Sequence, residues 1–132
     1  MNIRDFAEKF ISAEDEVWKH GNFSLLEKLE ASNIVVHMMS PFSDIVGWEA
    51  HKGFLNNTLK SATDVKQEWK YLTGDGKVFS LAYKSFSRYP KGRPDMGFPV
   101  GAKVSADAIW VLRTDAGKVI EAWLNGSFKI EV

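Results

Sequence analysis

Glu14 is the first residue whose position invites chemistry. It lies among Phe10, Ile11, Val17 and Trp18, whose three- and four-residue spacing puts them on one face of a helix. A carboxyl group held on such a face loses hydration, which raises its pKa and suits it to giving and taking protons near neutrality. The plainer alternative is a boundary carboxylate that reaches water past the edge of the stripe. His37, at the end of a β-branched run, is a second candidate because an imidazole titrates near neutral pH. It faces inward if Val35 does; if the inner row is Val36 and Met38, it faces away or is a satisfied rim histidine.

Other chemistries find no support in residue type or spacing. His20, His37 and His51 stand apart, without a His-x-His pair and without any cysteine, so neither a metal nor another cofactor is expected. Gly74-Asp75-Gly76 reads as a hairpin turn rather than a phosphate loop. Ser85 and Ser87 lack the Gly-x-Ser-x-Gly elbow of a hydrolase nucleophile. Lys84, Arg88, Lys91, Arg93 and Lys103 gather around a loop at 90–100, interleaved with Phe86, Tyr89 and Phe98. In a chain whose 17 basic and 17 acidic residues cancel, that cluster reads as a solvated loop, or a lid, and not as a nucleic-acid surface.

The elements that must position these residues are helices first and strands after. Ile3 to His20 carries the helical stripe, and Gly21 can take the left-handed cap conformation that ends it. Phe23 to Ala31 reads as a short second helix, Asn33 to Met38 as a strand, and Trp48 to Ser61 as a third helix. From Asp64 the period turns to two: Val65, Gln67, Trp69 and Tyr71 alternate with Lys66, Glu68 and Lys70. Val78 to Tyr89 is a long strand, and Lys103–Arg113 and Lys118–Phe128 form a final hairpin. Helices followed by an antiparallel meander argue an α+β fold with helices on one face of a curved sheet.

The size, 132 residues, fits one domain over 1–132 with its own core, and 17 aromatic residues argue against disorder. Charges at Arg4, Asp5, Glu8 and Lys9 interrupt any signal-peptide run, and no stretch approaches a membrane span. The expected setting is therefore cytoplasmic, with neither nucleic acid nor membrane as partner.

Several strings, in order, carry a family likeness: Trp18-Lys19-His20-Gly21-Asn22 with Leu25-Leu26, Val35-Val36-His37, Gly47-Trp48-Glu49-Ala50-His51-Lys52-Gly53-Phe54-Leu55, and Gly117-Lys118-Val119-Ile120-Glu121-Ala122-Trp123. The chain resembles the SnoaL-like polyketide cyclases of the nuclear transport factor 2-like superfamily, which also holds ketosteroid isomerases and limonene epoxide hydrolases. The resemblance implies a cone in which the sheet wraps the helices around a deep apolar pocket, and a homodimer through the outer face of the sheet. It also implies acids at positions that here are Leu124, Ile109 and, near the isomerases' base, Met38. None of these can move a proton.

If Ile109 and Leu124 face inward, strand alternation brings Asp107 in as well and sends Trp110 and Trp123 to the outer, dimer-forming face. The candidates are therefore Glu14, Asp107 and His37 for proton transfer, with Trp18, Met38, Trp48, Tyr83, Ile109 and Leu124 against a small apolar carbonyl compound. Two functions stand open: a cyclase or isomerase working by proton abstraction, or a non-catalytic protein that binds a small hydrophobic molecule or serves as a dimeric adaptor.

Overall fold

The computed structural model describes residues 2–132. Helix α1 (Ile3–His20) starts where Asn2 Oδ1 accepts the Asp5 N–H at 2.8 Å. It ends at Gly21, whose φ of 65° turns its N–H back to Val17 O. Helix α2 (Ser24–Leu29) and strands β1 (Glu30–His37) and β2 (Ile45–Val46) follow, then α3 (Trp48–Ser61), β3 (Thr63–Asp75), β4 (Val78–Tyr89), β5 (Ala102–Asp115) and β6 (Lys118–Glu131). A single turn of 3-10 helix (Pro94–Met96) interrupts the loop between β4 and β5.

The class is α+β, with a curved, unclosed six-stranded sheet in the order β2-β1-β6-β5-β4-β3. β3 to β6 form the antiparallel meander that the alternation predicts. β1 differs: it lies parallel to β6, so the sheet is mixed rather than antiparallel throughout. β1 also begins at Glu30, three residues before the β-branched run suggests, because Glu30 already pairs with Val119. Tertiary pairing overrides local helix propensity there.

The core fills the space between the helices and the concave face of the sheet. Phe6 and Phe10 of α1 meet Phe79 of β4 edge-on, with centroids 5.8 and 6.1 Å apart. Leu81, Leu112, Val119 and Ala122 continue the buried layer across the sheet. A second, smaller cluster of Tyr89, Phe98, Ala102 and Val104 closes the end of the sheet beneath the 90–101 loop. Gly126 marks the closest approach of two strands: a Cβ there would lie 2.2 Å from Asp107 O and 2.5 Å from Ala108 Cα, so no side chain fits.

One irregularity decides which residues face the core. At the start of the last hairpin Asp115 pairs with Lys118 and Thr114 with Val119, but Arg113 pairs with Glu121. Ile120 is thus an extra residue on β6, a bulge that slips the register by one. Uniform pairing from Gly117 would set Ile109 opposite Leu124; the bulge sets Trp110 there instead. Residues directly opposite share a face, so all of β5 is turned over relative to the expectation. Among the described residues no helix is long and apolar enough to cross a membrane.

Candidate functional site

A cavity of about 130 Å³ lies between α1, α3, the 90–101 loop and the concave face of the sheet. Trp18, Met38, Phe54, Leu55, Trp110 and Leu124 give it a mostly apolar wall. Into that wall the fold inserts Glu14, which is only 1% exposed. The helical stripe that predicted its inward direction is correct, and the boundary reading is not. Burial, then the nearby Glu30 carboxylate, raise the Glu14 pKa to about 7, against the opposing pull of His51 and a hydrogen bond from Trp18 Nε1 (3.2 Å).

His51 enters from α3, where Trp48, His51, Leu55 and Thr58 share the buried face at helical spacing. Its Nδ1 donates to Glu30 Oε1 at 2.7 Å, and both side chains are buried. Burial opposes the charged imidazolium, but the hydrogen bond and charge of Glu30, with Glu14, outweigh it and raise the His51 pKa. A carboxylate holding one ring nitrogen fixes the orientation of the ring, and His51 is part of the cavity wall. Nothing in the spacing of the sequence joins these residues. His51 stands apart there, and Glu30 falls near the end of what reads as a short second helix.

The sheet supplies hydrogen-bonding groups rather than acids. Tyr83, Trp69 and Trp110 pack as a trio with centroids 4.4 to 4.9 Å apart. Burial pushes the Tyr83 phenol up, which keeps it a donor at neutral pH. Trp110 Nε1 and Gln67 Oε1 belong to residues of the cavity wall and, though buried, find no partner among the described residues. They offer one donor and one acceptor where polar atoms ordinarily find partners.

The other expected residues divide. Met38, Trp18, Tyr83 and Leu124 border the cavity. Ile109 does not: it is 50% exposed on the outer face, and Asp107 is exposed on that same face, both because of the Ile120 bulge. For the same reason Trp110 faces inward, and only Trp123 lies outside. Trp48 is buried but stands behind the cavity wall, giving its Nε1 to Glu27 Oε1 at 3.0 Å. His37 faces away, since β1 turns Val36 inward beside Ala122 and sets His37 beside Trp123. It stacks on Trp123 (5.4 Å) and bridges Asp44 (2.9 Å) and Glu121 (2.6 Å). Arg93, read as solvated, is buried in the cavity wall. Among the described residues no group of three His, Cys, Asp or Glu is placed to hold a metal ion.

The sequence profile of the SnoaL-like polyketide cyclases matches residues 8–125. The chain belongs to this family. Among solved structures it is similar to a SnoaL-like protein from Mesorhizobium loti, at 20% identity and a TM-score of 0.71, covering 95% of this chain and 99% of that one. It is also similar to SalBIII, an epoxide hydrolase/cyclase-like enzyme with a role in pyran ring formation in the polyether salinomycin (16% identity, TM-score 0.73, 97% of each chain). An NTF2-like protein from Anabaena variabilis has a TM-score of 0.72 at 11% identity, over 94% of this chain and 88% of that one. At these identities the likeness is one of fold. No curated protein matches the chain.

Of the positions where the resemblance implies acids, Met38 and Leu124 border the cavity, while Ile109 lies on the outer face and Trp110 stands opposite Leu124 in its place. None titrates. The carboxyl and imidazole groups of the cavity wall, Glu14 and His51, stand on α1 and α3.

Proposed function

We propose that this SnoaL-like protein binds a small, mostly apolar carbonyl compound in the cavity and moves a proton alpha to its carbonyl group. The observation that carries this reading is Glu14: a buried carboxyl, titrating about pH 7, in the wall of an apolar cavity. As a carboxylate it takes the proton from the alpha carbon, and the electron pair of that C–H bond passes to the carbonyl oxygen. The Nε1–H of Trp110 and the hydroxyl of Tyr83 are the donors available for that oxyanion. The proton returns from Glu14, or from His51 held by Glu30, to give a shifted double bond or, with an internal electrophile, a closed ring.

Deuterium uptake at the alpha position of small cyclic and aryl ketones, followed by proton NMR in heavy water, tests this. Wild type is expected to accelerate uptake, with a rate that rises as Glu14 ionises through about pH 7. Glu14→Gln is expected to lose about a hundredfold or more of that rate. No acceleration by wild type, or an unchanged rate in Glu14→Gln, rejects the assignment.

A second reading, that the cavity binds its ligand without changing it, is favoured by the non-titrating residues Met38, Ile109 and Leu124 at the positions where the family resemblance implies acids. A ligand retained in native mass spectrometry, with no isotope exchange, would select it. In either case the outer face of the sheet, where Trp123 and the half-exposed Ile109 and neighbouring Val111 stand, is proposed as a homodimer interface. Sedimentation that gives only a 14.9 kDa species at micromolar concentration would refute the dimer.

A further inference from the structure

Arg93 is the one charged residue of the 90–101 loop that turns inward; at 2% exposure it is as buried as the core. Its guanidinium rests over the Phe54 ring, 4.8 Å from the centroid. Nε donates to both oxygens of Asp95 at 3.3 Å, Nη1 donates to Thr58 Oγ1, and Nη2 reaches Phe54 O at 3.4 Å. These contacts fasten the loop to the last turns of α3. They do not use the whole group, because each Nη carries two hydrogens and one on each is left uncommitted.

The charge is likewise only partly answered. Among the described residues Asp95 is the ion-pair partner of Arg93, and Asp95 is 58% exposed. A desolvated cation therefore stands in the cavity wall while its counter-charge spends its field in water. A guanidinium with spare donors matches a carboxylate better than any neutral group does.

Position along α3 separates this cation from the proton-transfer groups. His51 and Thr58 lie on the same buried face, two turns apart, so Arg93 at Thr58 stands about 10 Å along the helix from His51. Leu55 and Phe54 fill the interval with apolar surface. An anion held at Arg93 is thereby kept clear of Glu14, whose own negative charge would repel it.

We propose that Arg93 is an anion anchor, selecting ligands whose apolar body ends in a carboxylate. This rests on the cavity being a ligand site and adds the class of ligand: an apolar acid whose reacting carbonyl lies at the end remote from its carboxylate. The carboxylate docks at the loop end against Arg93, and the body lies along α3 toward Glu14.

Calorimetric titration with octanoate and with octanamide, equal in shape and different in charge, tests the anchor at pH 8, where the acid is ionised. Wild type is expected to bind octanoate about tenfold or more tighter than octanamide. Asp95→Asn removes an exposed competitor without touching the core, and is expected to widen that preference a few-fold. Arg93→Gln is expected to abolish the preference while octanamide binding remains, and Arg93→Lys to restore part of it. Equal affinity of wild type for the two compounds overturns the anchor and leaves the neutral-ligand cavity standing. Binding of neither compound overturns both. If Arg93→Gln fails to fold, Asp95→Asn decides: an unchanged or narrower preference rejects the anchor.

Discussion

Two histidine–carboxylate clusters occupy opposite faces of the sheet, built from the same residue types to different effect. On the outer face His37 bonds Asp44 and Glu121, and Arg113 adds a bond to Glu121 at 2.7 Å. Inside, His51 bonds Glu30 while Glu14 stands nearby in the cavity wall. Both histidines have raised pKa values, so titration alone does not tell the clusters apart. Solvation does. The outer carboxylate Glu121 is held below its ordinary pKa by His37 and Arg113, whereas the inner Glu14 is driven upward by burial. Water and a spare cation make the outer set a satisfied surface network, whereas the inner set is desolvated.

The largest expected contrast is in folding stability. Glu30→Ala removes the carboxylate that answers a buried histidine, and is expected to cost about 3–5 kcal/mol in urea denaturation. Glu121→Ala breaks a partly solvated network and is expected to cost far less. Comparable losses would mean that the two clusters are energetically alike and that burial of the inner one has been misjudged.

Next in size is a difference of sign with pH. Glu14 titrates at an ordinary 4.5 when unfolded and about 7 when folded, so between those values the native state holds more protons than the unfolded one. Its contribution is full below about pH 4.5 and is lost as pH rises through 7. Glu14→Gln mimics the protonated form, and is expected to be more stable than wild type by about 3 kcal/mol at pH 8 and indifferent at pH 4. Glu121, with a lowered folded pKa, runs the other way: its contribution is present above the ordinary carboxylate range and disappears as pH falls through the folded value. Thermal melts of Glu14→Gln and Glu121→Gln from pH 4 to 8 are expected to diverge from wild type in opposite directions towards pH 8, the first variant more stable and the second less. Destabilisation of Glu14→Gln at pH 8 would contradict the burial of a charged Glu14.

The inner cluster was only one-third legible in the sequence, for reasons that are physical. Glu14 could be found because helical periodicity places it on the same face as Phe10, Ile11, Val17 and Trp18, all within four residues of it. The alternation of Val65, Gln67, Trp69 and Tyr71 was equally readable, since β3 keeps period two along that stretch. Glu30 and His51 are 21 residues apart on separate elements, and no local pattern links them. The face of β5 was misread through one inserted residue: nothing in Ile120 itself announces a bulge, yet it exchanges Ile109 for Trp110 and turns Asp107 to the outer face. Arg93 was concealed by its charged neighbours, because loop composition does not reveal that one guanidinium has a carbonyl and a hydroxyl waiting on α3.

The smallest expected effect is also the most direct test of the comparison, because it follows both histidines in one sample. The His37 ring is 31% exposed and the His51 ring 9%, so mobile ions approach the first far more easily. Raising salt from low to near-molar concentration shortens the Debye length to about 3 Å, which screens solvated pairs and leaves buried ones nearly unchanged. In NMR titrations of the ring protons, the His37 pKa is expected to fall back toward its ordinary value in high salt. The His51 pKa is expected to hold, and to drop only when Glu30 is replaced by Gln. The sign follows from the bonds: hydrogen bonds and charge from carboxylates raise both values, and salt removes only the part that passes through water. Equal salt dependence would show that solvent reaches His51 as freely as His37, and the inner cluster would then lose the desolvation on which the proposed proton chemistry depends.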